Sequence, residues 1–174
     1  GPRYLGATVT LCLGVALLAF NGFLVSTALP TAVDEPGGVA LLSWATTVFL
    51  VFAIMGGAGA ALFKARLGAR MALIAAASVF LLGSLLAAIA GSMPELLVGR
   101  ALQRLGEGIV AAICYALIPE LFPSALVPKV FGAESVVWAL AAFGGPVLSG
   151  ALTETLSWRA AFAVNLPIGA FFFF

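Results

Sequence analysis

The sequence predicts an all-α integral membrane protein built as a bundle of six transmembrane helices. Of its 174 residues, 63% are hydrophobic and 9% are charged, whereas soluble domains carry about 25% charged residues. The apolar residues form long runs, and a run of about 20 residues is enough to cross a bilayer as a helix. We expect one amino-terminal transmembrane domain, residues 1–174, whose spans cover about residues 5–31, 39–63, 71–90, 96–121, 130–152 and 158–174.

Short connections rich in Gly, Pro or charge separate these runs. Residues 34–38 read DEPGG, residues 64–70 form a basic turn around Gly68, and residues 91–95 read GSMPE. The sixth span opens at Ser157-Trp158-Arg159. Only about 15 residues follow, which is about 22 Å of helix against a hydrocarbon core of about 30 Å, so we expect the sixth helix to be truncated.

The six spans divide into two groups of three. Because three is an odd number, the second triplet crosses the membrane in the opposite sense to the first, which permits a 3+3 inverted repeat. Many secondary transporters use this architecture to alternate access around a site near the bilayer midplane.

The charges of the connections indicate how the chain is oriented in the membrane. By the positive-inside rule, the side with the excess of Lys and Arg is cytoplasmic, so we expect a cytoplasmic amino terminus. The basic side carries Arg3, Lys64, Arg66, Arg70 and Lys129, and the acidic side carries Asp34, Glu35, Glu95 and Glu154.

Several classes of function are excluded by composition. The chain has no His, so it can form neither a His-based catalytic pair nor a His-based metal site. Its net charge of +1 lacks the excess of basic residues that is typical of nucleic-acid binding. Intramembrane aspartyl chemistry needs two aspartates, and Asp34 is the only one. Cys12 and Cys114 lie in apolar runs and are interpreted as small buried hydrophobic residues without a disulfide. We therefore expect a protein that is not an enzyme.

The fourth span is long enough to cross a bilayer and yet contains three charges. Each costs roughly 2.5–3.5 kcal/mol near the bilayer centre, so such groups usually face a bundle interior or an aqueous cavity. At 100° per residue the polar side chains share one face, which favours a substrate or proton path. The alternative is a buried Arg104 and Glu107 ion pair that only holds helices together. The stripe consists of Arg100, Gln103, Arg104, Glu107 and, toward the far end, Tyr115.

Motifs in the spans resemble the major facilitator superfamily, and within it the fourteen-span drug:proton antiporter group. The first-span segment runs from Asn21 to Ala28-Leu29-Pro30, with Asn21 where that group has an acid. The fourth span is similar to Arg-x-x-Gln-Gly-x-Gly through Arg100, Gln103 and Gly106, with Arg104 in place of a Gly and with Glu107 added. The sixth-span segment SWRAAFAVNLPIG, residues 157–169, is the most specific match.

Two further motifs belong to the same resemblance and imply conformational roles. The loop between spans two and three keeps Arg66, Gly68 and Arg70, in which Gly permits a tight turn and the arginines can hold acids such as Glu120 or Glu134. Basic residues there are also what membrane topology alone demands. The fifth span is similar to the antiporter motif, whose small residues and proline permit close packing and a bend. Its residues here are Gly144, Gly145, Pro146 and Gly150.

The resemblance implies the amino-terminal six-helix half of a transporter with twelve or fourteen spans. A second six-helix domain, from the rest of the chain or from a partner chain, would complete it. We expect Asn21 to hydrogen-bond substrate, Arg100 and Arg104 to hold an acid or an anionic group, and Glu107 to exchange protons. The glycines of the fifth span and Pro146 would govern the outward seal.

The function implied is proton-coupled export of small amphipathic or hydrophobic compounds, of the multidrug-efflux type, by alternating access. The protein would use the proton gradient, need no cofactor, and bind a small-molecule substrate and the lipid bilayer. A plasma membrane location follows, and the alanine-rich spans suggest a bacterial inner membrane. The alternatives are a transporter of lipids or organic anions, and a transport-dead scaffold or half-unit.

Overall fold

The computed structural model describes residues 2–32, 38–155 and 163–170, and all of the regular structure in these ranges is helical. The five helices are α1 (Pro2–Ala32), α2 (Gly38–Ile89), α3 (Met93–Leu121), α4 (Val127–Thr155) and α5 (Asn165–Ala170). The fifth corresponds to part of the predicted sixth span, whose opening residues 157–159 lie outside the described residues.

Helix α2 is two helices that fold back on each other at Gly68. The backbone of Gly68 has φ 76° and ψ 159°, a conformation that is essentially restricted to glycine. The middle of α3 contacts both sides of this break, because Gly108 lies against Ala53 while Gly106 lies against Ala76 and Phe80. We call residues 38–67 the first half of α2 and residues 69–89 its second half.

Four helical stretches are long and apolar enough to cross a membrane: Tyr4–Phe23, Thr47–Ile89, Met93–Leu121 and Val127–Leu152. The second contains 43 residues. Since 43 residues would extend about 65 Å as one straight helix, against a hydrocarbon core of about 30 Å, its two halves each account for a crossing. The described residues therefore form a multi-pass membrane protein with five crossing segments.

Neighbouring contacts fix the direction of each helix. Helix α1 runs antiparallel to α3, since Tyr4 packs on Phe122 with 5.7 Å between ring centroids while Asn21 reaches Glu107. The first half of α2 runs parallel to α3. Ala53 lies against Gly108, and Lys64, which follows Ala53 in α2, pairs with Glu120, which follows Gly108 in α3. We call the end of the bundle that carries Lys64, Glu120 and the amino terminus the basic end.

The pairing of helices agrees with an inverted repeat. Helix α1 packs mainly on α4, and α2 packs mainly on α3. Counting the two halves of α2 separately, α1 and α4 are the first and fifth segments, and the contacts of Gly56 with Leu105 and of Gly108 with Ala53 join the second segment to the fourth. A twofold rotation that exchanges the two triplets converts the first of these pairs into the second, so both are equivalent under the predicted symmetry.

Glycine allows α2 and α3 to approach closely. A Cβ atom at any of five positions would collide with the backbone of the facing helix, so a larger residue there would force the helices apart. The five are Gly56, Gly83, Gly99, Gly106 and Gly108. The fifth-span motif behaves differently. At Gly144 a Cβ would stand 3.7 Å from Phe20 Cε1, and at Gly150 nothing lies within 4 Å, so close packing among the described residues does not explain these two glycines.

Helix α3 begins with a well-defined cap. The Ser92 hydroxyl accepts a hydrogen bond from the Glu95 backbone N–H at 3.5 Å, and the Glu95 carboxylate accepts one from the Gly91 N–H at 2.8 Å. Pro94 occupies the first turn, where its missing N–H costs nothing. This cap fixes the start of α3 and hence the depth at which its charged residues lie.

Candidate functional site

A polar cluster lies inside the bundle on the face of α3 that the sequence predicts. The side chain of Asn21 and four side chains of α3 are each at most 2% exposed. Oε2 of Glu107 accepts two hydrogen bonds, from Nδ2 of Asn21 at 2.9 Å and from Nη1 of Arg104 at 2.7 Å. Arg104 therefore pairs with Glu107 one turn away on its own helix, and α1 contacts this ion pair through an amide. The α3 members are Arg100, Gln103, Arg104 and Glu107.

The second half of α2 holds the other end of the cluster. Nη1 of Arg100 donates to Oε1 of Gln103, and Nε2 of Gln103 donates to the Ser84 hydroxyl at 2.8 Å. Ser84 is fully buried. The oxygen of the Gln103 amide thus accepts a hydrogen bond within α3, and its nitrogen donates one to α2. These two bonds fix how α3 is rotated against α2.

An aromatic ring from the first half of α2 covers both arginines. The guanidinium carbon of Arg104 lies 3.5 Å from the Phe49 ring centroid, and that of Arg100 lies 5.7 Å away. A cation over an aromatic face is stabilised by about 2 kcal/mol or more where water is excluded. Phe49 therefore compensates part of the cost of burying two positive charges beside a single carboxylate.

Sequence reasoning missed Phe49 and Ser84. A serine in the middle of an apolar span is a weak signal that could have marked Ser84 as a partner of another buried polar group. Phe49 carries no such signal, because the chain contains 14 phenylalanines in similar apolar surroundings.

Three polar atoms of the cluster can still form hydrogen bonds. Within the described residues, Oε1 of Glu107 and both Nε and Nη2 of Arg104 are buried and have no hydrogen-bond partner. Oε1 could carry a proton while Oε2 keeps its two donors. The guanidinium donors could instead bind an anionic group. These three atoms are therefore the ones at which a proton or an anionic group could bind while the two hydrogen bonds to Oε2 of Glu107 are kept.

Tyr115 lies in a separate aromatic group that joins α3 to α4. Its hydroxyl accepts a hydrogen bond from Nε1 of Trp138 at 3.2 Å. Its ring stacks on Phe131 with centroids 6.2 Å apart and planes 11° apart. The ring of Trp138 also meets Phe23 of α1 edge to face. Tyr115 thus shares the predicted face but contacts α4 aromatic residues about 12 Å along the helix from Glu107.

At the basic end an ion pair joins α2 to α3. Lys64 donates to Glu120, whereas Arg66 and Arg70 are exposed. Lys64 lies on the side of α2 that faces α3, and the pairing of Arg66 or Arg70 with an acid stays a prediction. The other candidate acid, Glu134, is 2% exposed, and its oxygens have no hydrogen-bond partner in the described part of the chain.

These observations define a multi-pass α-helical membrane protein with a buried polar cluster at the centre of its helices. Residues 11–174 match the family model described as Major Facilitator Superfamily. The chain belongs to the Major Facilitator Superfamily, a family of membrane transporters and not of enzymes. The resemblance found in the sequence motifs is thereby confirmed.

Curated relatives include bacterial drug transporters. The chain is 37% identical over 162 residues to a probable multidrug-efflux transporter of Mycobacterium tuberculosis. The aligned residues cover 93% of this chain and 34% of the relative. It is 31% identical over 151 residues to the multidrug transporter protein MdtP of Bacillus subtilis, covering 87% of the chain and 28% of that protein. The chain thus spans about a third of the length of these relatives.

Solved structures show the same fold. A D-xylose-proton symporter superposes with a TM-score of 0.84 at 18% identity, covering 98% of this chain and 47% of that one. An inward-open xylose transporter from E. coli gives 0.75 at 21% identity, covering 97% of this chain and 46% of that one. The predicted fold class, one half of a major facilitator fold, is confirmed.

Proposed function

We propose that this chain forms the amino-terminal domain of a proton-coupled exporter of small amphipathic or hydrophobic compounds. The observation that carries the proposal is the carboxyl group of Glu107, which is buried between α1 and α3. One of its oxygens accepts two hydrogen bonds, and the other has no hydrogen-bond partner among the described residues. The relatives named as multidrug-efflux transporters support the export of such compounds.

Proton exchange at Glu107 would change the forces between α1 and α3. When Glu107 is ionised, its charge compensates Arg104 directly at 2.7 Å. A proton on Oε1 removes that compensation. The two buried guanidinium groups, of Arg100 and Arg104, then repel each other without a negative charge to offset them. Burying uncompensated charge is costly, so protonation favours an arrangement in which the arginines reach water or an anionic group. This is the differential energy that a switch between two access states requires.

Asn21 takes part without exchanging a proton itself. Its amide can donate to Oε2 of Glu107 in both protonation states, so it keeps α1 in register with the acid on α3. The acid that the antiporter group carries on the first helix is thus replaced by an acid on α3 with an amide opposite it. We propose that the coupling carboxyl has moved across the interface between these two helices.

The whole transporter would use a second six-helix domain and the proton gradient, with no cofactor. Alternating access would open the site to the two sides of the membrane in turn, with Gly144, Gly145, Pro146 and Gly150 in the outer seal. The open space beside Gly150 suits contact with that second domain. The excess of Lys and Arg at the basic end supports a cytoplasmic amino terminus. The relatives from Mycobacterium tuberculosis and Bacillus subtilis support a bacterial inner membrane.

A second candidate is export of an organic anion or an anionic lipid. The observation in its favour is that Nε and Nη2 of Arg104 are buried without an acceptor among the described residues. An anionic group bound there would balance the second positive charge of the cluster. In this case substrate and proton would compete for the same guanidinium and carboxyl pair.

The test is transport by the full-length protein in liposomes with an imposed proton gradient. Export of a lipophilic cation and of an organic anion is measured for the wild type, for Glu107→Gln and for the exposed control Glu154→Gln. Gradient-driven export that is lost in Glu107→Gln and kept in the control supports the proposal, and the substrate that is moved selects between the candidates. Full gradient-driven export by Glu107→Gln would refute it. Binding without export in every protein would favour a transport-dead scaffold.

A further inference from the structure

A second buried carboxyl group lies on α4, apart from the polar cluster. Glu134 is 2% exposed, and neither of its oxygens has a hydrogen-bond partner among the described residues. It belongs to a buried stripe of α4 that includes Val130, Ala141 and Ser149, on the side of α4 that packs on α1. Its neighbours Ser135 and Val136 are exposed, so the burial of Glu134 results from its direction toward the bundle.

Among the described residues, the groups around Glu134 offer no compensating charge. The titratable groups of the facing helices that interact electrostatically with Glu134 in this part of the chain are the thiols of Cys12 on α1 and Cys114 on α3. The cation on its own helix, Lys129, lies five residues earlier and is exposed. The ion pairs of the described residues join Lys64 to Glu120 and Arg104 to Glu107, so neither includes Glu134.

This environment accommodates the neutral acid and not the carboxylate. An ionised carboxyl group without a partner is far more costly to bury than a neutral one, by an amount that normally makes the group bind a proton. The thiols can act only as weak hydrogen-bond donors and cannot replace a cation. The packed arrangement of α1, α3 and α4 therefore favours the protonated form of Glu134.

The position of Glu134 separates it from the cluster at Glu107. Cys114 lies seven residues from Glu107 along α3, which is about 10 Å of helix. Cys12 lies nine residues from Asn21 along α1, or about 13 Å, in the direction of the basic end. The two carboxyl groups thus lie at two depths along the surface of α1 that packs on α3 and α4, which we call the seam, and they are too far apart to share a proton.

We propose that Glu134 is a second proton-binding site, which is loaded in this packed state and releases its proton when α4 separates from α1 and water enters the seam. On release the O–H bond of the carboxylic acid breaks, the proton passes to water, and the carboxylate is stabilised by hydration. The proton-binding property stands on the environment of Glu134 alone, while its part in coupling rests on the proposed export function.

The direct test is infrared spectroscopy of the full-length protein in lipid at neutral pH. The carbonyl stretch of a protonated carboxylic acid is recorded for the wild type, for Glu134→Gln and for Glu154→Gln, which removes an exposed acid from the same helix. We expect a band that is lost in Glu134→Gln and kept in Glu154→Gln. A spectrum in which Glu134→Gln leaves this region unchanged would overturn the proposal.

A conservative variant keeps the test decisive if Glu134→Gln does not fold. Glu134→Asp retains a carboxyl group in the same seam but shortens its side chain, so its band should shift in frequency. A band that does not shift belongs to another acid and contradicts the assignment. Because infrared absorption requires no transport, this result stands even if the export function proposed above fails.

The coupling role has its own measurement. Protons released on addition of substrate are counted in a weakly buffered detergent solution of the full-length protein, for the wild type, Glu134→Gln and Glu107→Gln. We expect Glu134→Gln to release fewer protons per protein than the wild type, while release from Glu134 persists in Glu107→Gln. An unchanged proton count in Glu134→Gln overturns the coupling role, and absence of substrate-dependent release in the wild type contradicts the export proposal instead.

Discussion

Nδ2 of Asn21 donates a hydrogen bond of 2.9 Å to Oε2 of Glu107, which joins α1 to α3 across 86 residues of sequence. Both side chains are at most 1% exposed, so the contact lies at the centre of the bundle. It is the link through which the charge of Glu107 can act on a second helix.

Replacement of Asn21 by Leu should destabilise the fold by about 1–3 kcal/mol, because a buried carboxylate then loses one of its two donors. The free energy of unfolding of the full-length protein in detergent measures the effect. If the hydrogen bond is the cause, Asn21→Leu and Glu107→Met, which removes the acceptor, will be non-additive by about 0.5–3 kcal/mol in a double-mutant cycle. Additive effects of the two changes would show that Asn21 acts on stability without Glu107.

The Phe49 ring should contribute through its aromatic face and not only through its size. Phe49→Leu removes the ring that lies 3.5 Å from the Arg104 guanidinium, and we expect a loss of about 1–2 kcal/mol beyond the usual cost of a smaller side chain. Phe49→Tyr keeps the face and is the matched control. Equal thermal stability of the Leu and Tyr variants would mean that stacking on Arg104 contributes nothing measurable.

Close contact between α2 and α3 predicts that Gly108 does not tolerate a larger residue. In Gly108→Ala the added Cβ would collide with the Ala53 carbonyl oxygen, and overpacking of this kind costs about 1–3 kcal/mol. Gly150→Ala is the control, since a Cβ there meets nothing within 4 Å. Thermal unfolding of the two variants side by side measures the difference. Similar melting temperatures would contradict the close approach of the helices at Gly108.

The sequence was sufficient for the features that depend on local pattern. The spans follow from apolar runs, and the face of α3 that carries Arg100, Arg104 and Glu107 follows from helical periodicity. Both require only neighbours within one helix. The i, i+3 pairing of Arg104 with Glu107 could likewise be stated as one of two alternatives.

Partners on other helices could not be predicted in the same way. Which residue of α2 meets Arg104 depends on how α2 slides and rotates against α3, and glycine contacts such as that of Gly106 with Ala76 set this register. The sequence shows the glycines but not which backbone they face. For the same reason the sequence names Glu120 as a candidate partner of Arg66 and Arg70 but does not indicate its contact with Lys64, on the helix face that meets α3.

The backbone at Gly68 leads to the last prediction. Its φ of 76° and ψ of 159° lie in a region that side chains avoid, at a cost of about 1–3 kcal/mol, and a Cβ there meets no atom within 4 Å. Gly68→Ala should therefore destabilise the protein through backbone strain alone. Gly132→Ala is the matched control, since it is equally open but lies inside α4, where alanine is favoured over glycine by about 0.5–1 kcal/mol. We expect opposite shifts of the melting temperature in the two variants. A Gly68→Ala protein as stable as the wild type would mean that the two halves of α2 can join through an ordinary turn, without the conformation that Gly68 adopts here.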